Sequence, residues 1–174
     1  MSKIRELVRE AHVSAENHPV NQQFINGSIS DEAYNLYVYQ RSLIMRFLDG
    51  FLPEKFARYE KFEKDLPENH GLPVLQATQD YLNYLEGVEE ENMIAHIYVN
   101  YMGDAHGGQI IRHNNPNRSN HHLDFDGFRS EFLNYVRGQM KGKDEDLAEQ
   151  ANNAFNFIEC ILDDVQDMVS DADT

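Results

Sequence analysis

The chain has 174 residues, 41% of them hydrophobic, and sets 30 acidic against 15 basic side chains for a formal net charge of −15. That length fits one domain, 1–174, able to bury a real core; the apolar content excludes global disorder, and the charge argues against nucleic acid as a partner. No apolar run approaches the roughly 20 residues that span a bilayer, "MSKIRELVREAH" lacks a signal-peptide core, and the lone Cys160 excludes an internal disulfide, so the expectation is a soluble, cytoplasmic monomer with no membrane partner.

Ile4, Leu7, Val8, Ala11 and Ala15 recur at helical spacing and predict one first helix. "HPVNQQFINGS" reads as a break and a short helix ended by Gly27. Ser30, ahead of Asp31 and Glu32, is a good helix start, and the pattern runs through "AYNLYVYQRSLIMRFLDGF". Pro53 is placed to open a further helical segment. "DLPENHGLP" reads as a loop and "VLQATQDYLNYLEG" as a helix closed by Gly87. "EEENMIAHIYVNYMGDAHGGQIIRH" predicts a long helix with acids at its first turn, followed by the polar loop "NNPNRSNHHLDFDG". "FRSEFLNYVRGQMKG" and "DEDLAEQANNAFNFIECILDDVQDMV" are two more amphipathic helices, and a tail from 169 to 174 is expected to fray. Nothing alternates with period two. The predicted fold is all-α, a bundle of about six to eight helices with its core over about 4–165.

Two stretches carry the chemistry. His12 lies on the apolar face of the first helix, where a lone histidine is either a satisfied core residue or a ligand. Glu16 at i+4 is within reach of its ring, as the outer partner of a metal-bound imidazole would be. Arg5, two turns earlier, could grip a carboxylate. "GDAHGG" (103–108) places three glycines in a helical run, each disfavoured there by about 1 kcal/mol relative to alanine. It reads as a turn between two helices, as a weak phosphate loop lacking the Lys-Ser/Thr ending, or as a bare helix surface. In the last reading Gly103 and Gly107, at i and i+4, let a flat ligand approach the backbone, with Asp104 beside them to order a water.

Other metal readings fail. No histidine has Glu three residues before it, and there is no HExxH, CxxC or CxxCH. His113, His121 and His122 read as surface residues of the polar loop. Cys160 reads as a buried, inert thiol. Arg129, Arg137, Lys141 and Lys143 gather at the start of the last third, a local basic patch able to hold an anion. Most tyrosines read as core or pocket lining, with Tyr98 and Tyr101 just before the glycines set apart.

"YVNYMGDAHGGQII" resembles the distal-helix signature of heme oxygenases, and "LVREAHVSAEN" resembles their proximal-helix motif. The resemblance implies the heme oxygenase fold, with heme between the first helix and a kinked glycine-rich one. It implies His12 as proximal ligand of the heme iron and Glu16 as the carboxylate that steadies it. Gly103, Gly107 and Gly108 match the glycines that let the distal helix press near the heme, and Asp104 the aspartate that organises distal water. Arg5, Tyr98 and Arg137 fall at propionate-contacting positions, and Phe155 at an aromatic that packs against the ring. The implied reaction opens heme, both cofactor and substrate, at a meso carbon (the α carbon) with O2. Its products are biliverdin, carbon monoxide and ferrous iron, and the electrons come from a ferredoxin or a flavoprotein reductase.

The sequence departs from that pattern at His106, where the family has serine. Asn100 stands for a distal arginine, Met45 for a distal tyrosine and Leu133 for a propionate-binding lysine. A non-enzymatic heme carrier on the same fold is the alternative these changes leave open. A thiaminase-like protein would need a pocket cysteine, for which Cys160 is badly placed.

Overall fold

The helical periodicity is realised as nine α-helices among the described residues, 3–172, of a computed structural model. They are α1 Lys3–Leu7, α2 Arg9–Glu16, α3 Pro19–Asn26, α4 Asp31–Asp49, α5 Tyr59–Lys64, α6 Gln76–Glu86, α7 Met93–Asn114, α8 Arg129–Met140 and α9 Asp144–Ala172. Short 3-10 turns lie at Glu54–Phe56, Glu90–Asn92 and His121–Leu123. The fold is all-α, as the periodicity predicts.

The predicted first helix is divided at Val8, whose backbone (φ −109, ψ 7) leaves the helical range. The ladder nevertheless carries across it, since Val8 N–H donates to the Ile4 carbonyl (3.1 Å) and His12 N–H to that of Val8 (2.9 Å). That split and the separate α5 raise the helix number above the six to eight expected. The remaining ends follow local chemistry. Ser30 Oγ accepts from Ala33 N–H at 3.2 Å to start α4. The Nδ1 of His18 accepts from Val20 N–H at 3.1 Å at the start of α3, beside Pro19. Gly27 ends α3 at φ 85, where an added Cβ would lie 2.0 Å from the Asn114 carbonyl oxygen, so both conformation and space demand glycine.

The 29-residue α9 forms the spine, packing against α1, α2, α4, α6 and α7. Apolar side chains of α1 and of α3 to α9 join in one buried cluster. No helix of the described residues is long and apolar enough to cross a membrane.

Two expectations are corrected. His113 and His121 are exposed as expected, but His122, in the polar loop after α7, is buried, as are Leu123, Phe125, Asn115 and Asn120. The loop is held from outside its own sequence, because Asp65 accepts from the backbone N–H of both His121 and His122 and from their ring nitrogens. Cys160 is exposed on α9 rather than buried, and its partial desolvation, with Asp163, Asp164 and Glu159 nearby, pushes its thiol pKa up, away from a nucleophile's range. Helix α9 is continuous to Ala172, within the tail expected to fray from 169, of which positions 173–174 lie outside the described residues.

Candidate active site

Helices α1 and α2 face α7, with α8 and the start of α9 closing the sides, around a cavity of about 920 Å³. A second cavity of about 270 Å³ shares Val99, Gly103 and Phe155 with the first, so the two form one cleft along α7. Pockets of this size and apolar lining suit a large organic ligand. His12 lines the larger cavity with its side chain 48% exposed, so it is not a satisfied core histidine. Its ring centroid lies 5.5 Å from that of Phe155. Its Nε2 is 3.7 Å from Glu16 Oε2, too far for a direct hydrogen bond and within reach of one bridging water.

Across the cleft, α7 runs unbroken through the glycines, which removes the reading of "GDAHGG" as a turn. Gly103 lines both cavities and Gly107 the smaller one, and a Cβ added at either would meet nothing within 4 Å. Their bare faces therefore widen the cleft. Gly108 does not share that face: at i+5 from Gly103 it turns away, and its Cβ would sit 3.2 Å from the Leu123 carbonyl oxygen. It admits the segment after α7, not a ligand. Gly103→Ala should thus stabilise the protein by about 1 kcal/mol in denaturant unfolding, whereas Gly108→Ala should gain nothing. Equal gains at the two positions would contradict this division.

The rim is cationic on an otherwise acidic protein. Arg5 from α1, Arg137 from α8 and Lys141 just beyond it line the larger cavity with Tyr98, and Asp144 is the acid among them. Burial raises the Tyr98 pKa, and the Arg5 and Arg137 charges temper the rise. The same cleft holds His106, whose pKa burial lowers, helped by Arg129, Arg137 and Arg5, which favours its neutral form. Arg129 fixes this corner, donating from Nε to the Ala105 carbonyl at 2.6 Å.

Asp104 lines the smaller cavity and is buried, against a partner the sequence did not reveal. Arg41 of α4 donates to both of its oxygens, Nη1 to Oδ1 at 3.1 Å and Nη2 to Oδ2 at 2.9 Å. The signal was present: Arg41 falls in register with Tyr37, Ile44, Met45 and Leu48, the buried face of α4, where an unpaired cation would be costly. Asn100 donates instead to the Tyr81 hydroxyl (3.0 Å) and the His96 carbonyl (2.9 Å). Met45 and Leu133 are core residues. The described residues hold no group of three or more acidic, histidine or cysteine side chains fit for a bare metal ion.

The family model described as heme oxygenase matches residues 1–164. The chain belongs to the heme oxygenase family. Heme oxygenase 1 of Bos taurus is 29% identical over 132 residues, covering 63% of this chain and 46% of its own length. Heme oxygenase 2 of Rattus norvegicus is 26% identical over 194 residues, covering 88% of this chain and 61% of its own. The chain thus spans about half the length of the curated heme oxygenases it matches. Among solved structures, heme oxygenase-1 of the cyanobacterium Synechocystis in complex with heme superposes with TM-score 0.82 at 21% identity, covering 98% of this chain and 93% of that one. The heme oxygenase of Leptospira interrogans follows at TM-score 0.78 and 19% identity, covering 91% and 96%. At these identities the likeness establishes the heme oxygenase fold.

Proposed function

We propose that this protein is a heme oxygenase, opening heme at the α-meso carbon to biliverdin, carbon monoxide and ferrous iron. The observation that carries the reading is the single cleft with His12 on one wall and the bare Gly103–Gly107 face on the other. The residues fit a flat, dianionic macrocycle. The walls are apolar, two missing side chains leave room beside α7, and cations gather at one edge.

Heme supplies both the iron that takes up O2 on reduction and the carbon that is oxidised. The chain supplies the rest. A His12 ring nitrogen would hold the iron, with Glu16 steadying the ring. Arg5, Arg137 and Tyr98 would orient the propionates, and Phe155, beside the His12 ring, would pack on the macrocycle. The bare glycine face would let the macrocycle lie close to α7, and Asp104 would hold a water where a proton is needed. Gly108 supports this machinery through its contact with Leu123 rather than from within the cleft. Electrons come from outside, through a ferredoxin or a flavoprotein reductase.

Hemin titration tests the binding half. The wild-type chain should form a stoichiometric complex with a Soret band, and His12→Ala should weaken it about tenfold or more and change the axial-ligand spectrum. An unchanged spectrum in that variant would remove His12 as ligand.

A further inference from the structure

Arg41 is a charged residue on the buried face of an amphipathic helix, and burial of a guanidinium costs several kcal/mol unless it is paired and hydrogen-bonded. Here it is both. Its fork closes on the two Asp104 oxygens, and Nη2 donates a further hydrogen bond to the Asn100 carbonyl at 3.0 Å. The guanidinium also lies over the Tyr37 and Phe62 rings, 5.8 and 5.1 Å from their centroids. Burial disfavours its charge, yet the Asp104 carboxylate outweighs that and holds the Arg41 pKa above its ordinary value.

We propose that Arg41 is the positioning residue of the O2-side pocket, a cation delivered from α4 that clamps Asp104 in one orientation facing the cleft. This rests on the heme oxygenase reading of the site. A bidentate guanidinium–carboxylate pair fixes the plane of the carboxylate, while each oxygen keeps capacity to accept a further bond. Arg41 and Asp104 both line the 270 Å³ cavity beside Gly103 and Gly107, so that capacity is available to a water there. On α7 itself no residue does this work: Asn100, one turn before Asp104, is tied to Tyr81 and His96, and an arginine at 100 would have to displace that network. The cation therefore comes from the adjacent helix.

The test uses the hemin complex of Arg41→Leu, Arg41→Lys, Asp104→Asn and the Arg41→Leu/Asp104→Asn double variant. Three quantities are read: hemin affinity, biliverdin formation with ascorbate, and the pH at which the visible spectrum of the ferric complex changes. Arg41→Leu should bind hemin within about threefold of wild type, form biliverdin about tenfold or more slowly, and shift the spectral transition by at least about half a pH unit. Arg41→Lys keeps charge and loses the fork, so it should fall between the two. In the Asp104→Asn background, Arg41→Leu should add nothing further, because it acts through Asp104. Wild-type turnover and an unmoved transition in Arg41→Leu, or losses that multiply in the double variant, would overturn the assignment. If Arg41→Leu does not fold, Arg41→Lys decides, and an unmoved transition there overturns it as well. Failure of the wild-type chain to bind hemin would instead sink the functional reading first.

Discussion

Asp104→Ala is expected to slow biliverdin formation by at least about 100-fold, the scale on which a positioned proton-handling group contributes, while hemin still binds. Binding survives because His12, the cationic rim and the glycine face are untouched. Turnover fails because the carboxylate that would hold water in the smaller cavity is gone. The substitution has a second consequence: it strands Arg41, whose two bonds to Asp104 balance its burial. Removing one partner of such a pair costs about 3–5 kcal/mol, so the variant should also melt lower. Asp104→Asn, which keeps one acceptor for Arg41, separates the effects by losing turnover with a smaller loss of stability. Single-turnover assays beside thermal melts check this. Near-wild-type biliverdin formation in Asp104→Asn would remove Asp104 from the chemistry.

Asp65→Asn is expected to destabilise the fold by about 3 kcal/mol, the upper end for losing a hydrogen bond to a charged group. The Asp65 side chain has no solvent exposure and accepts from Ser119 Oγ, from the His121 ring and from that of His122 at 2.5 Å, besides the two backbone donors. Burial alone would raise its pKa, but the His122 and Ser119 hydrogen bonds prevail and hold it well below the usual carboxylate range. A depressed folded-state pKa contributes stability that is present above the unfolded value, about 4, and is lost as pH falls through the folded one. The gap between wild type and Asp65→Asn should therefore close only below about pH 4. Urea unfolding from pH 7 down to pH 3 reads it, and a gap that closes well above pH 4 would contradict the assignment of the stabilisation to the ionised Asp65 carboxylate. The buried turn matters to the cleft because Leu123 is what Gly108 packs against.

What the sequence made legible is what one helix carries by itself. His12 with Glu16, and Gly103 with Gly107, are i, i+4 pairs, so their shared faces follow from helical geometry. The same geometry sets Gly108 apart, a hundred degrees beyond Gly107, although three glycines together invite a single role. Arg41–Asp104 and Asp65–His122 pair residues 63 and 57 positions apart, and no local period announces such contacts. The loop after α7 misled for that reason: its polar residues are satisfied by partners on other elements, Arg58 among them, which donates to the His122 and Asp124 carbonyls. Cys160 misled in the opposite sense, since apolar neighbours on α9 do not fix which face of so long a helix is covered.

The central claim is that this cleft degrades the heme it binds. The direct measurement is turnover of the hemin complex under O2 with ascorbate or a reduced ferredoxin, the products separated by isomer. The account predicts loss of the Soret band with release of iron and α-biliverdin. A heme spectrum that persists under reductant and O2, with no biliverdin, would contradict it and leave a heme carrier in its place.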